Sequence, residues 1–351
     1  MDQLRQAIES TGAQILDSCT VAWGGLKMLH AHTVSFKGTR GVVLHYENPP
    51  VHQIDTHVLD AYASELKLIE RRKRELSFLI FSFAPDPVHA GGDLKETLTS
   101  LRTKRGYRWA DRRLLTAFAL YKRVRALAKH LRIISVLPGG DYYGGSAEIA
   151  LWADQMVGDP RTTICMSEAT IGLIPGWGGL ARLSTKAGHH NARCLVATAR
   201  KTTARELKAI GVLDAVVGSC MLAALFQRAF KLALSKIKTR VPTILMSEDD
   251  MEAEVARRCD PHTYSHLWGK PLGDVRNEIA ELKMPLAPQS IQALRTLFLA
   301  YGIPYEEEHF FRTEMKCDSM LYRHPLLAEG IRAVLEKRVP NFELKQMEEK
   351  S

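Results

Sequence analysis

The order of apolar and polar positions along the chain predicts an alternation of short buried strands and amphipathic helices. Residues 33–46, "TVSFKGTRGVVLHY", predict two strands joined by a glycine-containing turn. "ENPPVHQID" interrupts the pattern, because two adjacent prolines cannot continue a ladder. From Asp55 to Glu75 the apolar positions Val58, Leu59, Tyr62, Leu66 and Ile69 fall on one face of a helix. "LSFLIFSFA" at 76–84 has the length and continuity of a strand buried on both faces. It runs into the glycine-rich turn "PDPVHAGGDLKE" and then into helix. A long amphipathic stretch at 110–131 precedes another short strand, "IISVLPG" at 133–139. The sequence strand, glycine turn, helix recurs at 133–154 and implies a sheet covered by helices. Further on, "LARLSTKAG" reads as a helix ended by Gly188, with another around 190–200. Thr203 stands three residues before Glu206, as in a helix-capping box. Beyond 220 the pattern is mostly helical, with a polar stretch at 247–285.

Composition narrows the class. The chain has 351 residues, 46% hydrophobic and 25% charged, enough for a substantial core. No apolar run reaches the roughly 18–20 residues of a membrane-spanning helix. The first residues show no basic stretch followed by an apolar one, so no secretory leader is expected. Six cysteines are scattered singly, without metal-binding spacing, which predicts reduced thiols in a cytoplasmic protein and no metal site. The formal net charge is +9. Its basic clusters, "IERRKRE", "LRTKRGYRWADRR" and "YKRVRALAKHLR", are interrupted at helical spacing and read as solvated helix faces. No nucleic-acid motif accompanies them.

The two glycine turns carry the chemistry. "HAGGDLKE" (89–96) and "YYGGSAEIA" (143–151) each place glycines between a strand and a helix. Glycine lets a ligand approach the backbone, and a helix N-terminus offers unpaired N–H donors. Two such turns side by side would form an oxyanion hole. Glu148 stands in the second, among Ala147, Ile149, Ala150 and Leu151.

These two blocks are followed in order by "SEATIGLIPGWGGLARL" (167–183) and "ARELKAIGVLDAVV" (204–217). In this ordered set the chain resembles the crotonase superfamily of enoyl-CoA hydratases and isomerases, over about 33–218 and again near 310. The resemblance implies an α/β fold: a crotonase-like ββα spiral of two roughly perpendicular sheets flanked by helices, with a C-terminal helical region. It divides the chain into an N-terminal extension (1–30), a spiral core with the acyl-CoA site (31–240), an insertion (241–285) and a C-terminal helical, oligomerising region (286–351). It puts the oxyanion donors on Gly92 and Gly145, and the catalytic carboxylates on Glu148, which would activate water, and Glu168, which would protonate Cα. It puts Ala90, Gly91, Asp93, Lys95, Tyr142, Tyr143, Gly144 and Trp177 against the substrate or its coenzyme A. The implied reaction is syn-hydration of a 2-enoyl-CoA, with bulky or alicyclic acyl groups among the candidates. No cofactor is implied; coenzyme A arrives as part of the substrate. A homotrimer or hexamer is expected. Double-bond isomerisation, thioester or C–C hydrolysis, and reuse of the scaffold to bind nucleic acid stay open as alternatives.

Overall fold

Short apolar runs and helical stretches alternate as expected and fold into two sheets. The protein is described here from a computed structural model covering residues 2–23, 26–103, 105–236, 242–300 and 306–343. The strands are β1 (Gln14–Trp23), β2 (Leu26–Phe36), β3 (Thr39–Tyr46), β4 (Phe78–Phe83), β5 (Val88–His89), β6 (Arg132–Leu137), β7 (Asp141–Tyr143), β8 (Gln155–Gly158), β9 (Thr163–Cys165), β10 (Thr202–Thr203) and β11 (Ala215–Val216). The larger sheet has the order β1-β2-β3-β4-β6-β8-β11, and the smaller β10-β9-β7-β5. In the larger sheet β1, β2 and β3 pair antiparallel, and every pairing from β3 to β11 is parallel. In the smaller sheet β5, β7 and β9 are parallel and β10 closes the edge antiparallel.

The connections repeat. Three times the chain leaves a parallel strand of the large sheet and enters one of the small sheet: β4 to β5, β6 to β7, β8 to β9. Each time it then turns into helix. The helices are α1 (Asp2–Glu9), α2 (Thr56–Arg71), α3 (Leu94–Leu101), α4 (Gly106–Leu127), α5 (Gly144–Leu151), α6 (Gly179–Ala197), α7 (Ala204–Ala209) and α8 (Leu222–Ala233). A 3₁₀ turn, Glu168–Thr170, lies between β9 and α6. This is the ββα spiral that the sequence blocks imply.

The central strands are buried on both faces, so adjacent residues serve different cores. Val43, Phe78, Ile80, Ile134, Val136 and Val157 pack under α1 and α8 through Leu4, Ile8, Phe226 and Phe230. Val42, Leu44, Leu79, Phe81 and Ile133 belong to the main core with α2, α4 and α5. Residues 1–30 therefore contribute to the sheet itself: α1 closes one face, and β1 with the start of β2 extends it. Helix α2 has the expected face, with Val58, Leu59, Tyr62, Leu66 and Ile69 buried, and Asp55 caps it by accepting from Val58 N–H at 2.9 Å. Gly188, non-helical at φ 80°, ends the first segment of α6 as expected, and a second helical segment follows it to Ala197. Thr203 and Glu206 form the expected capping box of α7.

The C-terminal third is helical: α9 (Glu248–Cys259), α10 (Pro261–Tyr264), α11 (Arg276–Leu282), α12 (Pro288–Leu299), α13 (Glu307–Leu321) and α14 (Pro325–Glu336). It packs back on the spiral, α13 on α4 and α6, and α14 on α3. Among the described residues no helix is long and apolar enough to cross a membrane.

Helix α14 packs tightly at Gly330, where a Cβ would lie 2.2 Å from the carbonyl oxygen of Ile171. Glycine to alanine in a helix interior ordinarily stabilises by up to about 1 kcal/mol. Here overpacking against rigid backbone reverses the sign. Gly330→Ala is expected to destabilise the protein by about 1–3 kcal/mol, read as a lower urea midpoint at unchanged slope.

Candidate active site

Strands β5, β7 and β9 run parallel, so the turns after them emerge at one edge of the small sheet. Those turns carry Ala90–Gly92, Gly144–Gly145 and Ser167–Glu168. The two glycine turns touch: a Cβ on Gly91 would lie 3.0 Å from the Gly145 nitrogen and 3.2 Å from the Tyr143 oxygen. Ser146 Oγ ties them further by donating to the Ala90 carbonyl at 2.5 Å. Ile54 N–H donates to Gly91 O at 2.9 Å, and Asp93 N–H donates to Ile54 O at 3.0 Å. The intervening Gly92 therefore turns its own N–H away from Ile54. Gly145 lies in the first turn of α5, where N–H groups have no acceptor within the helix. Both glycines line a cavity of about 350 Å³.

Glu148 and Glu168 line the same cavity, 3% and 8% exposed. Their surroundings differ. Glu148 Oε1 accepts from the backbone N–H groups of Trp177 at 2.7 Å and Gly179 at 3.0 Å. Burial raises its pKa from 4.5 to about 7, against the opposing pull of these N–H donors. Neither carboxyl oxygen of Glu168 has a hydrogen-bond partner among the described residues. Burial, reinforced by the charge of Glu148, holds its pKa well above the usual carboxylate range.

The loop that holds Glu148 is itself held. Trp152 Nε1, at the end of α5, donates to Trp177 O at 2.8 Å. Arg182 on α6 donates to the carbonyls of Leu151 at 3.1 Å and Ala153 at 2.9 Å, and to Glu307 of α13 at 2.7 Å. Glu314 of α13 accepts from Gly178 N–H at 2.9 Å and Ala181 N–H at 3.0 Å. The position of Glu148 is therefore set from both α6 and α13.

Of the residues singled out in the sequence, Ala90, Gly91, Gly92, Tyr143, Gly144, Gly145, Glu148, Glu168 and Trp177 all line the cavity. Three do not. Asp93 caps α3, accepting from Lys95 N–H at 2.8 Å and Glu96 N–H at 3.0 Å. Lys95 is exposed on the first turn of α3. Tyr142 is fully buried on the other side of β7, its ring stacked on His89 with centroids 4.3 Å apart. Strand alternation is the reason: neighbours Tyr142 and Tyr143 point to opposite faces, so only one can reach the cavity. His89 is core as well; Nε2 contacts Ala84 O at 3.0 Å, and burial lowers its pKa to about 3.

Sequence reasoning missed Arg113, Asp318 and Tyr322, which also line the cavity. A signal for two of them existed. Arg113 stands on the buried stripe of α4 with Ala110, Leu114 and Ala117. Asp318, with Glu314, stands on that of α13 with Phe310, Phe311 and Leu321. A charged residue at core spacing is a candidate for the interior.

Comparison with known proteins bears on the same region. The sequence model of the family "Enoyl-CoA hydratase/isomerase" matches residues 46–259, well over half of the chain. The putative enoyl-CoA hydratase/isomerase YngF of Bacillus subtilis (strain 168) is 30% identical over 135 residues, 38% of this chain and 48% of that protein. The matching region thus spans about half the length of that relative. An enoyl-CoA hydratase from Rhodobacter sphaeroides 2.4.1 superposes with TM-score 0.64 at 16% identity, over 87% of this chain and 91% of the other. A carnitinyl-CoA dehydratase from Mycobacterium thermoresistibile does so with TM-score 0.62 at 17% identity, over 95% and 94%. At those identities the superpositions establish the fold. The sequence match over residues 46–259 shows that this chain belongs to the enoyl-CoA hydratase/isomerase family.

Proposed function

We propose that this chain hydrates a 2-enoyl-CoA. The thioester oxygen would accept from the N–H groups of Gly92 and Gly145, which stabilise the negative charge that develops on it. Glu148, as the carboxylate, would take a proton from water as the oxygen attacks Cβ. Glu168, as the acid, would give its proton to Cα. Water is thereby added across the double bond. Passage of the proton from Glu148 back to Glu168 restores the starting state.

The observation that carries this reading is the unequal setting of the two carboxyls. Glu148 is drawn towards ionisation by two N–H groups at the start of α6, whereas the Glu168 oxygens have no hydrogen-bond partner within bonding geometry among the described residues. A pair pushed apart in this way supplies a base and an acid at one pH. Coenzyme A enters as part of the substrate. A homotrimer or hexamer goes with this reading, to be measured by light scattering.

Three outcomes are expected. Incubation with 2-enoyl-CoAs in ¹⁸O-labelled water should incorporate label with coenzyme A still attached. Label-free double-bond migration would point to an isomerase, and free coenzyme A to a hydrolase. Glu148→Gln and Glu168→Gln should each lower kcat by about 10²–10⁴-fold with an unchanged circular dichroism spectrum. Near wild-type turnover in either variant would sink the two-carboxylate mechanism. The third outcome concerns stability. A carboxyl whose pKa is raised by folding makes the native state bind its proton more tightly than the unfolded state. Its stabilisation is complete below the unfolded pKa and is lost as pH rises through the folded one. Relative to Glu148→Gln, the wild type should lose stability between about pH 4.5 and 7 and level off above. Parallel curves across that window would show that Glu148 is not perturbed.

A further inference from the structure

The cavity has a polar end that the hydration chemistry does not use. Asp318 and Tyr322 stand one turn apart, at the end of α13 and on its C-cap, and both line the cavity. Asp318 is 2% exposed. Its Oδ1 accepts from Ile174 N–H at 3.2 Å. Its Oδ2 lies 2.3 Å from where a Cβ on Gly176 would stand, so only glycine at 176 leaves room for this carboxyl. Among the described residues no cation pairs with it. Burial and the nearby charge of Glu148 keep its proton on well above the usual carboxylate range. With Oδ1 accepting from Ile174, the O–H of the neutral acid would fall on Oδ2. Tyr322 is likewise held neutral, by burial and then by Asp318.

No side-chain hydrogen bond of Asp318 Oδ2 or of the Tyr322 hydroxyl is found among the described residues, and both residues line the cavity, where a bound group can reach them. The Arg113 guanidinium, 5.0 Å from the Trp177 ring, adds positive potential at the same end. The other walls there are apolar: Leu94, Leu173, Ile174, Trp177 and Val334. Gly176 adjoins Trp177, whose N–H holds Glu148, so the donors sit beside the carboxyl pair.

We infer that Asp318 and Tyr322 form a donor pair that selects an acyl group bearing an oxygen acceptor (an oxo, hydroxyl or carboxyl oxygen) beyond the β-carbon. The inference rests on the placement of thioester and carboxyls proposed above. Asp318 acts as a neutral donor to the substrate and transfers no proton.

The test is calorimetric binding of two unreactive saturated thioesters of equal chain length, pentanoyl-CoA and 4-oxopentanoyl-CoA. Wild type, Asp318→Asn, Asp318→Leu and Tyr322→Phe are compared. Wild type should favour the oxo compound by about tenfold, as expected for satisfying a buried donor. Asp318→Leu and Tyr322→Phe should each remove much of that preference, lowering affinity for the oxo compound more than for pentanoyl-CoA. Asp318→Asn should keep it, because the amide accepts from Ile174 and still donates. Both thioesters binding equally to wild type would overturn the inference. So would equal losses for both ligands in Asp318→Leu and Tyr322→Phe, which would assign the donors to the coenzyme arm. Loss of preference in Asp318→Asn would overturn the neutral-donor role. If Asp318→Leu does not fold, Tyr322→Phe decides alone. Binding of neither thioester would instead refute the acyl-CoA reading itself.

Discussion

The N-terminus of α6 is where the active region is held together. Four backbone N–H groups there, those of Trp177, Gly178, Gly179 and Ala181, donate to two buried carboxyls, Glu148 and Glu314. A helix start has N–H groups with no acceptor of its own and a partial positive charge. Here it is buried, so water cannot satisfy those donors, and side chains from other helices must. Glu148 reaches in from α5 and Glu314 from α13. Neither has a cation as partner among the described residues. Burial therefore outweighs the N–H donors, and both pKa values stay raised.

That arrangement has a chemical consequence. One helix terminus ties Glu148 to fixed donors, whereas the oxygens of Glu168, arriving on the 3₁₀ turn after β9, have no hydrogen-bond partner among the described residues. Two carboxyls of ordinary intrinsic acidity thereby acquire different proton affinities inside one cavity. The glycine turns need their own closeness for the same reason. The approach of Gly91 to the Gly145 nitrogen leaves no room for a side chain between the two turns, so backbone donors from both can face the same space.

The C-terminal helices are part of the site as well as its cover. Helix α13 supplies Glu314 to the α6 terminus, Glu307 to Arg182, and Asp318 to the cavity wall. Helix α14 presses on Ile171 through Gly330, and Ile171 lines the cavity. A change in the last quarter of the chain can therefore reach carboxyls encoded near its middle.

Much of this was legible in the chain alone. Continuous apolar runs marked β4 and β6, the period-3.6 pattern marked α2, and the glycine blocks marked the turns that bear Gly92, Gly145 and Glu148; Glu168 came from the family resemblance. Those signals are local: periodicity, capping and turn chemistry depend on neighbours within a few residues. Strand alternation, also local, would have separated Tyr142 from Tyr143 had it been applied. What the sequence could not supply was which distant groups meet. Asp318 beside Gly176 and Glu314 at the α6 terminus join residues over a hundred positions apart, and Arg113 near Gly92 joins α4 to the first glycine turn. A charged residue on an apolar stripe shows that something must satisfy it, but the partner is set by helix packing. The local code thus determined the elements and the glycine turns, and the family resemblance pointed to Glu148 and Glu168, which line one cavity. Only the tertiary structure decided their unequal environments and the polar end of the cavity, because burial and long-range contact exist only once the chain has packed.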